Sequence, residues 1–204
     1  MLRFNTWPSK KNLARRACRQ EAAQIVEFAL SLPLLVVFVV GIFDFSNAIT
    51  LKEKLTNAAR DGARVAASDP ASDLASPPST GQPVSVSDAW QVVDNDLLAA
   101  KVKDCGLSNP TWTQSNLIWT ATATGPGCPA AGITLTINRG NPDPTNPSDC
   151  SIQQTQGTPM YVVLTCVTIK YPYQWEFNSV SGLVGRSFSG PTSITTTATY
   201  FNEN

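Results

Sequence analysis

The sequence predicts an α+β chain: a long N-terminal helix crosses a membrane and extends into an exported head with a short helix and an antiparallel sheet of about four strands. Three observations carry that reading. Residues 22–40, "AAQIVEFALSLPLLVVFVV", are apolar almost without a break, and helical spacing continues past them to residue 67. Four later runs are rich in Thr, Val, Ile and aromatics, the composition of strands. Pro, Gly, Ser and Asn separate them, as turns require.

The apolar run fits a bilayer. From Ile25 to Phe45 there are 21 residues, which as a helix rise about 31 Å against a hydrocarbon core of roughly 30 Å. Arg3, Lys10, Lys11, Arg15, Arg16 and Arg19 precede it and only Glu21 opposes them, so the positive-inside rule leaves the N-terminus in the cytoplasm. A secretory signal would have a shorter core, about 7–15 residues, ending at a small-residue site. This run instead continues into Phe43, Asp44 and Phe45, so it reads as an anchor. The chain divides into a basic leader (1–22), a long helix (23–67) spanning at about 25–45, a Ser/Pro-rich linker (68–87) and an exported α+β head (88–204).

Charge and cysteine follow the same division. Residues 1–67 hold 10 Lys/Arg against 5 Asp/Glu and residues 68–204 hold 5 against 10, so a formal net charge of zero hides two opposed halves. No Lys/Arg cluster of the kind nucleic acid needs occurs in the acidic part. Cys18 precedes the span, and Cys105, Cys128, Cys150 and Cys166 follow it. An even set on the exported side is what an oxidising compartment would give. Four cysteines allow three pairings; short loop closure favours Cys105 with Cys128 and Cys150 with Cys166. The spacings of 22, 21 and 15 intervening residues contain no C-x-x-C pair, which argues against zinc.

Past the span, "LKEKLTNAARDGARVAAS" keeps small residues in two rows. Ala58, Gly62 and Ala66 form one, and Ala59, Ala63 and Ala67 repeat it one position on. Arg60, Asp61 and Arg64 point elsewhere. Such a face either admits another helix at close range or lies as an Ala-rich helix under the head's own sheet, and spacing alone does not choose.

In the head, Trp90, Val93, Leu97 and Ala100 follow helical spacing between a Ser87/Asp88 start signal and Gly106. Asp88, Asp94, Asp96 and Asp104 read as the solvated side of that helix. Strands are expected at 117–124, 133–138, 161–173 and 193–201, and in "ITLTI" Ile133, Leu135 and Ile137 form one apolar face. "RGNPDPTNPSDCSIQQTQGTP" reads as a long loop or irregular hairpin tip without an EF-hand pattern. The chain has no histidine, no G-x-S-x-G and no P-loop, so nothing specifies a reaction, a cofactor or a small-molecule substrate.

Three elements then stand in order: Val26-Glu27-Phe28-Ala29-Leu30 with Pro33-Leu34-Leu35; Gly41-Ile42-Phe43-Asp44-Phe45; and Ala58-Ala59-Arg60-Asp61-Gly62-Ala63-Arg64. Together they resemble the TadE-like family, minor pilins or pseudopilins of the tight-adherence (Tad, type IVc) pilus system. The resemblance covers about the first third of the chain. It implies a pilin-like head and a motif role for the charges Asp44, Arg60 and Arg64. It also implies prepilin-type cleavage between Ala22 and Ala23, which would leave Glu27 as the fifth mature residue; Ala22 stands where such prepilins usually carry Gly.

An ionised carboxylate inside a bilayer costs on the order of 2.5–3.5 kcal/mol, so Glu27 calls for a partner or a shallow position. With the Ala22–Ala23 bond cut, Glu27 could pair with a neighbouring subunit's α-amino group and fix axial register. The plainer alternative is that it snorkels to the interface. Pro33 removes a backbone donor within the span, which membrane helices tolerate.

The resemblance implies a non-enzymatic, single-pass protein of the bacterial inner membrane whose head is periplasmic or at the cell surface. It would help assemble a Tad-type adhesive pilus with other minor pilins, the inner-membrane assembly platform and a prepilin peptidase as partners. The alternative from another class is an adhesin-like module with an uncut anchor, whose Thr-rich strands and Pro-rich loop contact a surface or glycan. A membrane-anchored enzyme is disfavoured by the missing motifs.

Overall fold

The computed structural model describes residues 10–75, 81–126, 128, 132–140, 150–156, 158–176 and 190–202. Residues 1–9 of the expected leader and 141–149 of the expected loop lie outside the described residues. The portion up to Phe45 and the unit Ser46–Trp175 with Gly190–Asn204 are separate compact units, each described by itself.

Among the described residues, three helices precede the sheet: α1 (Lys10–Ser68), α2 (Ser72–Ala75) and α3 (Val84–Ala99). Pro33 sits inside α1 without ending it. The helix stops at Ser68 because Pro70 disfavours helical backbone at the residue before it. The stretch expected as a plain linker holds α2 and the first turn of α3, which starts at Val84 rather than at Ser87/Asp88. The earlier start has a partner outside the helix. The Asp73 carboxylate of α2 accepts the Ser85 backbone N–H at 2.9 Å, doing for α3 what an N-cap side chain would do.

The end of α3 is also set locally. Lys101 adopts φ 56°, Lys101 N–H donates to Leu98 O at 3.0 Å and Val102 N–H to Leu97 O at 2.8 Å, the two bonds of a Schellman motif. The stop is therefore Lys101, five residues before the glycine that the sequence suggested.

Six strands follow among the described residues: β1 (Thr111–Ser115), β2 (Ile118–Ala123), β3 (Ile133–Asn138), β4 (Ser151–Gln156), β5 (Thr158–Pro172) and β6 (Ser193–Phe201). All pairings are antiparallel: β1 with β2, β2 with β3, and β5 with β3, β4 and β6. The four expected strands form, and β1 and β4 are additional. β1 escaped prediction because "TWTQS" is exposed except for a partly covered Trp112 and so lacks an apolar face. β4 falls in the stretch expected to be irregular; its backbone pairs with β5 from Ser151↔Val163 to Gln156↔Thr158.

One face of the sheet is dry. Ile133, Leu135 and Ile137 of β3, Val167 and Ile169 of β5, and Trp119 and Ala121 of β2 join Leu55, Ala59 and Ala63 of α1 and Val86, Val93 and Leu97 of α3 in a single core. Cys105–Cys128 and Cys150–Cys166 are bridged, with Cα–Cα separations of 5.6 and 5.7 Å. The first pair joins the main core; the second forms a satellite cluster with Leu164.

Candidate assembly site

In the unit up to Phe45, α1 keeps its apolar side chains outside. Ile25, Val26, Phe28, Leu30, Leu34, Leu35, Phe38, Ile42, Phe43 and Phe45 are all exposed. Among the described residues, Ala23–Ser68 is the one helix long and apolar enough to cross a membrane, with a mean hydropathy of 2.6 and none of that window buried. Ala23, Glu27 and Pro33 share this exposed stretch, whereas Asp44 of the same unit is buried, 3% exposed. Ala22 is helical. Asp44 stands at the end of the apolar run, just before Ser46 and Asn47, and periodicity did not anticipate its burial.

Beyond Ser46 the small-residue rows close on the chain itself. Ala58, Ala59, Ala63 and Ala66 are at most 1% exposed, and Gly62 and Ala67 are buried too. A Cβ on Gly62 would lie 2.5 Å from Val93 Cγ2 and 3.3 Å from the Ala89 carbonyl, so α3 crosses α1 where only glycine leaves room. The helix that approaches at close range is the chain's own α3, backed by Val167 of β5 3.8 Å from the same point.

The charges of the motif turn the other way. Arg60 and Arg64 are exposed, and neither has an ion pair among the described residues. Lys54 bends inward instead, donating from Nζ to the Ala100 carbonyl at 2.8 Å, where a cation suits the C-terminal end of α3.

Carboxyl groups gather around α3. The aspartates expected on a solvated side are half-buried or, for Asp94, buried at 9% exposure, because α3 is covered by α1 along one side and by the sheet and the following loop elsewhere. Burial, then Asp104, pushes the Asp94 carboxyl above the ordinary range. Burial, then Asp61 through its charge and a carboxyl–carboxyl hydrogen bond, raises Asp96. Asp69 is raised by burial and by Asp88 and Asp73, while Arg139 pulls it down. Each shift records a group that holds its proton more tightly in the fold.

Arg139, fully buried, is the residue that sequence reasoning missed. Its guanidinium donates to the Ala66 carbonyl, to Thr165 Oγ1 at 2.8 Å and to the Asp69 carbonyl at 3.3 Å, and reaches Asn202 Oδ1 at 3.4 Å. It thus binds the C-terminal carbonyls of α1 to β5 and to the segment after β6. The available signal was its position directly after the alternating "ITLTIN", as one of only five basic residues in 68–204.

The opposite face of the sheet is a threonine array. Thr113, Thr120, Thr136, Thr168 and Thr197 stand in one cross-strand row over five strands, with Thr111, Thr122, Thr134, Lys170 and Thr195 in the next. Thr168 and Thr197 share a hydroxyl hydrogen bond of 2.9 Å. Among the described residues no group of three His, Cys, Asp or Glu side chains is placed to hold a metal. The "NPDPTNPSD" segment, which lacks an EF-hand pattern, lies at 141–149, outside the described residues.

Residues 22–64 match the model of the family described as TadE-like protein. The segment is TadE-like. It takes in the exposed apolar stretch and the first two residues of each buried small-residue row, so the matched segment meets two different surroundings. No curated protein and no solved structure matches the chain.

Proposed function

We propose that the chain is a membrane-anchored, non-enzymatic minor pilin or pseudopilin that assists assembly of a Tad-type pilus by packing its helix among related pilins. The observation that carries this reading is the TadE-like match over a helix whose apolar side chains to Phe45 have no cover within their own unit. Because the small-residue rows are closed inside the chain, the surface offered to other pilins is the apolar stretch together with Glu27. Cleavage at Ala22–Ala23 would give a neighbouring α-amino group for Glu27 to meet, and the head would stand in the periplasm.

The test is co-purification. Tagged full-length chain extracted from native membranes is expected to bring down the other pilins of the system, and Glu27→Ala to weaken that capture while the exported head keeps both disulfides. Unchanged capture by Glu27→Ala would remove the register role. Sequencing the mature N-terminus gives Ala23 for a processed pilin and Met1 for an uncut anchor.

A second reading has its own support. The threonine rows give the head a wide, nearly uncharged hydroxyl-bearing face, which favours contact with a surface or glycan by an adhesin-like module. Recovery of the chain in sheared surface fibres supports that use; confinement to the membrane fraction supports assembly.

A further inference from the structure

The core of the head thins out towards the end of β5. Ile169 is fully buried and Tyr171 is 8% exposed, whereas Tyr173 and Trp175, past the end of the strand, are half-buried. Their rings meet edge to face with centroids 4.9 Å apart. Tyr173 N–H donates to the Thr192 carbonyl at 2.9 Å and Trp175 Nε1 to the Pro191 carbonyl at 2.7 Å, so both are tied to the chain that leads into β6. Rings with an apolar body and a polar edge suit the headgroup level of a bilayer.

Two fixed points set the level of this pair along α1. Arg139 joins the Ala66 carbonyl to Thr165, and Thr56 Oγ1 lies 2.9 Å from Oγ1 of Thr196, which stands opposite Ile169. From Ala66 to Thr56 the helix covers about 15 Å, and from Thr165 to Ile169 the strand covers about 13 Å. Helix and strand therefore run side by side in opposite senses. A further strand length of about 13 Å, from Ile169 to Tyr173, carries the level on α1 from Thr56 to about Asn47. Tyr173 and Trp175 thus stand level with the first residues of α1 in the head's own unit, which begins at Ser46.

We propose that Tyr173 and Trp175 seat this end of the head in the lipid headgroup layer on the side of the bilayer where α1 emerges. The inference rests on the membrane-anchored reading, in which the span ends at about Phe45. Connectivity selects lipid as the occupant: Ser46 follows the span directly, and a group level with Asn47 lies within about one helical turn of the hydrocarbon edge along the axis. Ile49 adds an exposed apolar side chain close to that level. Residues 170–192 carry Lys170 and Arg186 against one carboxylate, Glu176, a balance that an anionic lipid surface accepts.

Tryptophan fluorescence of the full-length chain tests the contact, in vesicles of phosphatidylcholine and phosphatidylglycerol with a lipid nitroxide-labelled at the top of its acyl chain as quencher. Trp7 is first replaced by Phe. By register Trp112 falls in line with Ile169 and Trp119 with Val167, and Trp90 packs on Trp112, so these three lie further along the sheet from Tyr173 than Trp175 does. The nitroxide is expected to quench Trp7→Phe several-fold more than Trp7→Phe with Trp175→Phe, whereas Trp112→Phe should leave the quenching in place. Adding Tyr173→Trp to the Trp175→Phe chain should restore it. Equal quenching with and without Trp175, or no recovery with Tyr173→Trp, would overturn the inference. Flotation of the same vesicles separates the two readings. A chain that floats without Trp175-dependent quenching keeps its anchor and loses only the aromatic contact, and a chain that does not float overturns both.

Discussion

At the scale of single residues, Arg139 shows how a buried cation can be tolerated without a direct carboxylate partner. Burial lowers the pKa of its guanidinium, and the charges of Asp73 and Asp69 raise it. Carbonyls at the end of α1 supply the partial negative charge that the cation needs. Removing it leaves those carbonyls, Thr165 and Asn202 short of a donor in a dry site. Arg139→Met is therefore expected to cost about 3 kcal/mol, read as a lower denaturant midpoint at unchanged slope. Arg139→Lys keeps the charge but cannot reach as many acceptors, and should fall between the two.

At the scale of elements, α3 is bounded by chemistry that a linear reading handles poorly. Its start depends on Asp73, twelve residues away from Ser85 in the chain, and its end on a lysine in the left-handed region. That conformation costs a residue with a Cβ roughly 1–2 kcal/mol, a penalty that glycine avoids. Lys101→Gly should accordingly raise stability by about 1 kcal/mol, measured by chemical unfolding. A loss instead would show that the Lys101 side chain contributes more than its backbone costs. The β3 strand illustrates the opposite case: "ITLTIN" alternates cleanly, and its limits, Ile133 and Asn138, were legible from that pattern alone.

At the scale of the whole molecule, the carboxyls gathered around α3 make stability depend on pH in an uncommon direction. Asp69, Asp94 and Asp96 all have folded pKa values above the ordinary 3.8. A raised value means that the fold binds the proton more tightly than the unfolded chain does. The resulting stability is complete below the unfolded value and is lost as pH rises through the folded values. The detergent-solubilised chain should thus unfold at a higher temperature near about pH 4 than near about pH 7. A flat profile, or a rise towards neutral pH, would contradict the buried positions of these carboxyls.

Much of this molecule follows from local pattern. The span, the continuation of α1 past it, four strands and the three motif elements are visible because apolar periodicity and charge asymmetry act over short stretches of chain. What the small-residue rows pack against depended on distant residues: Val93 and Val167 decide that Gly62 faces inward, and no spacing within α1 contains that information. Arg139 and Asp94 are of the same kind, polar groups whose burial is settled by segments far off in sequence. Local pattern thus carries an α+β chain with a helix long and apolar enough to cross a membrane, TadE-like over residues 22–64. Which helix face is spent inside the head and which remains for other molecules is settled by the packing of distant elements, because burial is a property of contacts between elements.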